Sequence, residues 1–327
     1  MPHGEALLIE AARESWPLAR PFVIARGAKV EANVIVVTVS DGCAIGRGEA
    51  VPYARYGETV EASLTDLRAL PGPLDRSRLS GLLPVGAARN ALDCALWDLE
   101  AKRAKKRAWE LAGLAAPRPV LTAYTLSLDT PSAMAAAALA APQLKLLKLK
   151  LGGVGDPERM TAVRAARPDA RLIADANEAW TAEMLSPFLE AAARAGLKLI
   201  EQPVAEAADE ILAHIPHAVA VCADESAHTC ADLDRVAARY DAVNIKLDKT
   251  GGLTEALAMS RGARERGLKI MIGSMVATSL AAAPALLLTN DAEWVDLDGP
   301  LLLARDREPG LTIDKGVISP PPAELWG

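Results

Sequence analysis

The chain has 327 residues, of which 51% are hydrophobic, so it can bury a large core and is long enough for a barrel-sized domain plus a smaller one. The net charge of -6 leaves no basic excess, which argues against nucleic acid or an anionic membrane as the main partner. No apolar run approaches the ~20 residues that span a bilayer, so a membrane protein is not expected.

The first third of the chain predicts a small α+β domain. Residues 5–16 and 32–40 are predicted as strands, and a turn at Asp41-Gly42 leads into a third extended segment at 45–49. Helical patterns follow at about 58–71, 75–83 and 86–113. The Pro-containing segment 115–119 breaks this pattern, so we expect a first domain over residues 1–115.

From Val120 onward, strand and helix patterns alternate. Eight apolar runs are predicted as strands, near residues 121–127, 145–151, 171–175, 197–202, 219–224, 241–247, 269–274 and 293–297. Helical patterns fit between many of them, at 131–140, 157–167, 181–195, 254–266 and 277–288. This rhythm predicts a parallel α/β barrel over residues 116–305, although periodicity alone also allows two sheets. The tail, residues 306–327, holds no further strand–helix unit and is expected to fold back on the first domain.

The second predicted barrel strand carries two lysines one residue apart. Period-2 alternation places Lys148 and Lys150 on one face of this strand and leucines on the other. Taken alone, the pair also fits an edge strand whose lysines face water, because lysine is rarely buried without a partner. The strands that follow favour a functional interpretation.

The next three apolar runs each end in an acid, and the fourth ends in a lysine. Starting from Lys150, these residues come 25, 26, 23 and 22 positions apart, and they are Asp175, Glu201, Asp224 and Lys246. In a parallel barrel the carboxyl ends of the strands meet at one face, so three carboxylates converge between lysines. Such oxygen ligands suit Mg²⁺. A single acid here is often a helix N-cap, but the ordered series favours a metal site.

The cysteines and histidines predict no metal or disulfide framework. The cysteines lack Cys-x-x-Cys spacing, which favours free, mostly buried thiols in a reducing compartment; they are Cys43, Cys94, Cys222 and Cys230. The four histidines form no convincing ligand cluster. The N-terminal residues 1–5 lack the basic and apolar segments of a signal peptide, and we therefore expect a cytoplasmic protein.

Several motifs together carry a resemblance to a known family. They are Lys148-x-Lys150, Asp175-Ala176-Asn177, Glu201-Gln202-Pro203, Ala223-Asp224-Glu225-Ser226 and Asn244-Ile245-Lys246-Leu247-Asp248-Lys249-Thr250-Gly251-Gly252. These motifs closely resemble the enolase superfamily, in its muconate-lactonizing subgroup, and the match runs through nearly the whole chain. The segment 295–300 looks like the Asp-x-Asp motif of dipeptide epimerases. The resemblance implies a modified TIM barrel, (β/α)7β, with an N-terminal α+β capping domain that the tail joins.

The resemblance implies a Mg²⁺-dependent epimerase of L-Ala-D/L-Glu that acts at the glutamyl α-carbon in murein peptide recycling. Asp175, Glu201 and Asp224 are the implied metal ligands. Removing a proton α to a carboxylate creates an enediolate with extra negative charge, which the metal stabilises. Epimerisation needs a base on each face of the α-carbon, and Lys150 and Lys246 are the implied pair. Each needs a lowered pKa to act as a base near neutral pH, and burial beside other cations and Mg²⁺ is the expected cause.

Further residues are expected around this centre. Lys148 would hold the substrate carboxylate as a fixed positive charge. Asn177, Glu225 and Lys249 are expected to support the ligands and bases, with ordinary turn roles left open.

Two loops of the first domain are expected, by resemblance, to close over the barrel mouth. One contains Arg26, and the other contains Tyr53 and Arg55. An arginine in either loop could pair with the glutamate side-chain carboxylate of the substrate, or could simply be solvated.

The last predicted barrel strand carries the Asp-x-Asp pair. Asp296 and Asp298 point the same way, and two neighbouring carboxylates repel unless a cation lies between them. By resemblance we expect this cation to be the α-ammonium group of L-Ala, whereas a simple turn at 298–300 is the alternative. The expected substrate-binding set also includes Thr125 and Ser274.

Several functions stay open at this point. Within the same fold, another dipeptide epimerase, an N-acylamino acid racemase or a cycloisomerase or dehydratase such as o-succinylbenzoate synthase would use a similar site. A barrel that binds a small anionic ligand without turnover belongs to a different class. The expected partner is a small dipeptide, and a homo-oligomer is compatible with the sequence.

Overall fold

The structure is a computed structural model that describes residues 7–71 and 74–327. Its first part, which we call the cap, holds a three-stranded antiparallel sheet of β1 (Leu8–Ile24), β2 (Gly27–Ser40) and β3 (Ile45–Ala50). The cap helices are α1 (Val60–Arg68), α2 (Leu79–Leu82), α3 (Ala87–Ala104) and α4 (Ala108–Leu111). The helix predicted at 86–113 is therefore two helices, because Lys105 has a φ of +50° and ends α3.

Strand β1 is longer than the strand predicted at 5–16, whose first two positions lie outside the described residues. It continues through Pro17 and Pro21, with an irregular register between Pro17 and Phe22. Because β1 is an edge strand, the missing proline N–H groups break no inner ladder. The extension reaches the barrel, where Leu128 N donates to Val23 O (3.0 Å).

Helix α3 lies directly on strand β3 because two glycines leave room for it. A Cβ atom at Gly46 would be 2.1 Å from Ala95 O, and one at Gly48 would be 2.1 Å from Ala91 O. Any larger residue at these two positions would push the helix off the sheet.

The second part is a barrel of eight parallel strands, arranged in chain order. A short strand, β4 (Val120–Leu121), precedes them, and the eight are β5 (Tyr124–Leu126), β6 (Leu146–Lys150), β7 (Arg171–Asp175), β8 (Leu197–Glu201), β9 (Ala220–Ala223), β10 (Ala242–Lys246), β11 (Lys269–Gly273) and β12 (Trp294–Asp296). The two ends of the sheet meet where Ala123 N donates to Val295 O (2.8 Å). The predicted fold class, a capped and modified TIM barrel, is confirmed.

Helices follow most of the barrel strands in the chain. They are α5 (Pro131–Leu139), α6 (Asp156–Ala166), α7 (Ala182–Arg194), α8 (Leu233–Ala237), α9 (Leu247–Thr250), α10 (Leu253–Glu265), α11 (Ser279–Ala285) and α12 (Gly299–Leu302). A 3-10 helix, Glu206–His214, stands between β8 and β9, where no helix was predicted. The helix predicted at 277–288 is α11 followed by a second 3-10 helix, Leu286–Asp291.

Strand β6 shows why the two lysines are buried. Leu147 and Leu149 pack outward against the main barrel core, whereas Lys148 and Lys150 line the cavity inside the barrel. The strand pairs with β5 on one side and β7 on the other. The edge-strand alternative is therefore wrong.

The tail contacts both parts of the molecule. Strands β13 (Ile313–Asp314) and β14 (Val317–Ile318) form a hairpin that pairs antiparallel with β4. At the chain end, Trp326 Nε1 donates to Cys94 O (3.0 Å) and Gly327 N to Asp98 Oδ1 (2.8 Å), both on α3. The division of the chain near residue 115 stays a prediction.

Two further expectations concern the chain as a whole. Among the helices of the described residues, none combines the length and apolar character needed to cross a bilayer. All four cysteines are free, as predicted, but only Cys94 and Cys222 are buried. Cys43 is exposed because it lies in the turn between β2 and β3, so the expectation of mostly buried thiols is not met.

Candidate active site

The carboxyl ends of β5 to β12 bring the predicted residues to one face of the barrel, which we call the mouth. Neighbouring strands are in register there, so that Lys150 lies beside Asp175 and Asp175 beside Glu201. On the other side of the barrel, Lys246 lies beside Gly273. A cavity of about 450 Å³ opens at this face, and its wall includes the predicted residues Thr125, Lys148, Lys150, Asp224, Lys246, Ser274, Asp296 and Asp298.

Three buried carboxylates form a cluster at the mouth. Asp175, Glu201 and Asp224 each place one oxygen within 4.8 Å of the others, and each residue is at most 2% exposed. The cluster offers oxygen atoms only, held on rigid strand ends, and a hard divalent cation such as Mg²⁺ prefers such donors. The residues present therefore fit a metal of this kind.

Lys148 and Lys150 contact this cluster from one side. Lys148 Nζ is 2.5 Å from Glu201 Oε2 and 3.3 Å from Asp175 Oδ2. Lys150 Nζ donates to Asp175 Oδ2 (2.5 Å). Burial alone would raise the pKa of Asp175, but the charges of Lys150 and Lys148 hold it well below its usual value. Burial and the charge of Asp175 raise the pKa of Glu201 to about 7.

Lys246 and Lys249 contact the cluster from the other side. Lys246 Nζ donates to Asp224 Oδ2 (2.7 Å), and Lys249 Nζ lies 2.7 Å from Asp224 Oδ1. Burial tends to raise the pKa of Asp224, but these two lysines lower it well below its usual value. Each ammonium group thus contacts Asp224, one of the three carboxylates that would hold a metal.

The pKa of each lysine depends on the charges around it, and the lowering expected beside Mg²⁺ stays a prediction. Burial lowers the pKa of Lys246, but the charges of Asp224 and Glu201 outweigh burial and raise it well above the usual value. Burial also lowers the pKa of Lys148, and Asp296 and Glu201 again raise it. The reason is that carboxylates, rather than other cations, are the nearest charges to both ammonium groups.

Asp296 and Asp298 lie together at the end of β12. Asp296 Oδ2 accepts a hydrogen bond from Lys148 Nζ (2.6 Å), and Asp298 Oδ2 accepts one from Thr125 N (2.7 Å). Asp296 Oδ1 is buried and has no hydrogen-bond partner among the residues that the structure describes. Burial and the charge of Asp296 raise the pKa of Asp298 to about 7. Asp298 makes no side-chain cap to α12, and β12 ends at Asp296, so ammonium binding and a simple turn both stay open for Asp298.

The two cap loops lie over the mouth, as expected. Arg26 Nη1 donates to Asn177 O (2.9 Å), and Arg26 Nη2 donates to Glu225 Oε1 (2.7 Å). Arg55 donates through Nε (3.0 Å) and Nη2 (2.9 Å) to the carboxylate of Glu178. Both arginines are therefore paired with carboxylates of the chain itself, and neither is simply solvated.

The remaining predicted residues also lie at this site. Tyr53 Oη accepts a hydrogen bond from Arg26 Nη2 (3.3 Å), and Ser274 N donates to Asp296 O (3.1 Å). Two of the expected supporting residues touch the acidic cluster directly. Asn177 N donates to Asp175 Oδ1 (2.9 Å), and Lys249 Nζ donates to the backbone of Asp224 and Asn244.

Sequence reasoning missed Glu178 and the apolar wall of the cavity. The wall is formed by Leu18, Phe22, Ile24, Val51, Met275 and Val276. No pattern in the sequence distinguishes these residues from core residues. An acid close behind a strand-end aspartate is a weak signal for Glu178, whose contacts depend on a cap loop 152 residues away.

Comparison with known families covers most of the chain. Residues 8–113 match the N-terminal domain of mandelate racemase and muconate lactonizing enzyme, and residues 132–324 match the enolase C-terminal domain-like family. The L-Ala-D/L-Glu epimerase of Escherichia coli (strain K12) is 45% identical over 316 residues, which are 95% of this chain and 98% of that protein. The N-acetyl-D-glutamate racemase of Pseudoalteromonas sp is 44% identical over 300 residues, 90% of this chain and 95% of that one.

Solved structures are similar over almost the whole length. An enolase family member from Agrobacterium tumefaciens with homology to dipeptide epimerases, with bound sodium and L-Ala-L-Glu, has a TM-score of 0.96 and 48% identity, covering 98% of this chain and 100% of that chain. A dipeptide epimerase from Cytophaga hutchinsonii, complexed with Mg and D-Ala-L-Val, has a TM-score of 0.90 and 27% identity, covering 96% of this chain and 92% of that chain.

Proposed function

Because the chain belongs to the mandelate racemase and muconate lactonizing enzyme family, we propose that it is an isomerase that epimerises the dipeptide L-Ala-D/L-Glu at the glutamyl α-carbon. The observation that carries the proposal is the arrangement of charges at the mouth. Lysines from opposite sides of the barrel face an acidic cluster, and the Asp296 and Asp298 pair lies next to them. The similarity to the Escherichia coli epimerase supports this substrate.

Asp175, Glu201 and Asp224 would hold Mg²⁺. Their oxygen-only donor set supports this, as does the Mg in the related Cytophaga hutchinsonii epimerase. When bound, the ion supplies a Lewis acid that stabilises negative charge on the substrate carboxylate. Lys148, which is 1% exposed, would hold the same carboxylate by its fixed positive charge.

Lys150 and Lys246 would move the proton. They stand on β6 and β10, four strands apart in a sheet of eight, and therefore face the cavity from opposite sides. One lysine, as a neutral amine, takes the α-proton from one face, while the other, as an ammonium group, returns a proton to the opposite face. The two exchange roles when the other epimer is the substrate.

The two ends of the dipeptide would be bound by different charges. A buried carboxylate oxygen without a partner, such as Asp296 Oδ1, is costly, and the α-ammonium group of L-Ala would satisfy it. At the other end, Arg26 and Arg55 line the cavity and would meet the glutamate side-chain carboxylate.

An N-acylamino acid racemase is the second candidate. The 44% identity to an N-acetyl-D-glutamate racemase favours it. The same lysines would serve that reaction, and a protonated Asp298, whose pKa is raised to about 7, could donate a hydrogen bond to the acyl carbonyl. An N-acetyl group, however, brings no cation to Asp296.

One experiment separates the two candidates. The kcat/KM values of L-Ala-L-Glu and N-acetyl-L-Glu are measured by incorporation of deuterium at the α-carbon in D₂O. We expect the dipeptide to be favoured by at least ~100-fold, the size that follows from losing two charge-assisted contacts. The double variant Asp296→Asn with Asp298→Asn should bring the two kcat/KM values closer together, by lowering the value for the dipeptide. Comparable values would support the racemase, and no exchange with either compound would contradict both candidates.

The proposed substrate places the reaction in murein peptide recycling in the cytoplasm. The four free cysteines support a reducing compartment.

A further inference from the structure

The carboxylate of Glu178 joins both lid arginines to the barrel mouth. Its Oε1 accepts from Arg55 Nη2 (2.9 Å), and its Oε2 accepts from Arg55 Nε (3.0 Å) and Arg26 Nη1 (3.3 Å). The contact with Arg55 is bidentate, the geometry in which a guanidinium group is held most firmly. The Glu178 side chain is only 10% exposed, so water screens these contacts weakly.

Glu178 stands behind the arginines rather than in the cavity. Arg26 and Arg55 belong to the described residues that line the cavity, whereas Glu178 does not. Two guanidinium groups at one site repel each other, and the shared carboxylate offsets this repulsion. Arg55 uses Nε and Nη2 for this contact, so its Nη1 is not part of it.

The barrel holds Glu178 in a fixed place. Asn177 and Glu178 have φ values of +45° and +67°, a left-handed backbone that is unfavourable for residues other than glycine. Glu178 N donates to Gln202 O (2.8 Å), which ties this backbone to the end of β8. In addition, Glu206 N donates to Glu178 Oε1 (3.1 Å). A strained backbone that is held from several sides indicates that the position of this carboxylate matters.

We propose that Glu178 is a positioning residue for dipeptide substrates whose C-terminal residue has an acidic side chain. It keeps Arg26 and Arg55 together so that both guanidinium groups meet the substrate side-chain carboxylate. The inference rests on the proposed function and adds to it a residue that does not touch the substrate. Without the Glu178 charge, Arg26 keeps its contact with Glu225, but Arg55 loses its contact with Glu178, and its side chain, which is already 38% exposed, turns toward solvent. Binding of an acidic side chain then weakens, whereas proton transfer at the lysines is unchanged.

The test compares Glu178→Gln with the unmodified enzyme on two dipeptides of equal size, L-Ala-L-Glu and L-Ala-L-Gln. Both kcat and KM are measured by α-proton exchange in D₂O with Mg²⁺ present. We expect the KM of L-Ala-L-Glu to rise about tenfold, the change that follows from weakening one charge-assisted contact, with kcat within about twofold. The KM of L-Ala-L-Gln should change by less than about twofold.

A second variant reaches the same contact from the cap. Arg55→Met should raise the KM of L-Ala-L-Glu to a similar extent. The double variant with Glu178→Gln should raise this KM little further, because both changes remove the same contact between Glu178 and Arg55. Full additivity of the two changes would contradict a role exerted through Arg55. If Glu178→Gln folds poorly, Glu178→Asp takes its place: it keeps the charge but shortens the side chain, and it should raise the KM of L-Ala-L-Glu while the KM of L-Ala-L-Gln stays within about twofold.

The matched control is Glu206→Gln, which removes a nearby carboxylate that lies 3.5 Å from Arg235 and keeps the backbone N–H that donates to Glu178. Neither KM should change in this control. An equal rise for both dipeptides in Glu178→Gln would overturn the inference, since Glu178 would then only hold the loops in place. A lower KM for L-Ala-L-Glu would also overturn it, since Glu178 would then compete with substrate. If the unmodified enzyme exchanged neither dipeptide, the proposed function would fail together with the inference.

Discussion

The two ends of the barrel interior are built from the same strands but differ in chemistry. At the end opposite the mouth, which we call the bottom, the inward residues form an apolar layer: Ala123, Leu146, Ile173, Leu199, Cys222, Ala242, Met271 and Trp294. Two positions further along the strands, five of the eight residues are charged, as Asp175 after Ile173 shows on β7. Because alternate residues share a face, one strand supplies both packing and chemistry.

The two ends also differ in their energetics. Removal of apolar surface from water at the bottom stabilises the fold by roughly 25 cal/mol per Å². At the mouth, charges are buried, and their mutual attraction only partly offsets the cost of removing them from water. Substitutions at the mouth should therefore change catalysis, whereas those at the bottom should change stability.

The largest expected effect is at the two lysines of the mouth. Lys150→Ala and Lys246→Ala should each reduce epimerisation by about 10⁴-fold, the upper range for loss of one acid–base group. Each variant should still exchange the α-proton of one epimer, because the remaining lysine faces one side of the substrate. Deuterium incorporation into L-Ala-L-Glu and L-Ala-D-Glu, measured separately, checks this asymmetry. Normal epimerisation by either variant would contradict the two-base scheme.

The next effect concerns the acidic cluster. Asp224→Asn should weaken Mg²⁺ binding and lower kcat/KM by about 10³-fold, since one of three anionic ligands becomes neutral. Calorimetric titration with Mg²⁺ measures the affinity, and circular dichroism serves as the control for folding. Full activity of the unmodified enzyme in excess chelator would show that the cluster needs no metal.

At the bottom, Met271→Ala should leave the chemistry intact. Met271 is fully buried beside Trp294, so its truncation should lower the free energy of unfolding by about 2–5 kcal/mol. The kcat/KM value should stay within about twofold at temperatures well below Tm. Lys198→Ala, at an exposed position of β8, is the matched control and should change stability by less than about 0.5 kcal/mol. A large loss of activity in folded Met271→Ala would contradict the expectation that substitutions at the bottom change stability and not catalysis.

The smallest expected effect concerns Asp248 and tests whether a buried charge on this side of the barrel lowers stability. Asp248, which follows β10, accepts hydrogen bonds from Val51 N (2.9 Å) and Asn90 Nδ2 (3.0 Å), and burial raises its pKa to about 7, with a smaller contribution from Glu58. The folded state therefore binds a proton more tightly than the unfolded state, whose pKa is near 3.8. Between these values the contribution of Asp248 to stability falls as pH rises.

Asp248→Asn should remove this pH-dependent contribution, because an amide does not titrate. The fold should be kept, because the amide oxygen can accept the same two hydrogen bonds. Between pH 5 and pH 7 the variant should lose about 2 kcal/mol less stability than the unmodified protein. This is less than two full pH units at ~1.4 kcal/mol per unit, because the folded-state carboxyl is half titrated at pH 7. Urea unfolding at both pH values measures the difference. Identical pH dependence would show that the Asp248 carboxylate does not titrate in this range.

Local patterns in the sequence were enough to predict the eight barrel strands and the members of the acidic cluster, whereas the capped, modified barrel was implied by the family resemblance. Alternation decides which face Lys148 and Lys150 share, and the strand ends place Asp175 and Glu201 side by side. These features depend on neighbours along the chain and on the single rule that parallel strand ends meet at one face. They needed no knowledge of contacts between distant segments.

Contacts between distant segments became visible only in the folded chain. Lys148 bonds to Asp296, 148 positions away, and Arg26 contacts Glu178, 152 positions away. In the same way, Lys246 lies beside Asp224 and Glu201, whose charges act to raise its pKa. The physical reason is that a charge responds to whatever lies within a few Å of it, and closure of the barrel and docking of the cap choose those neighbours.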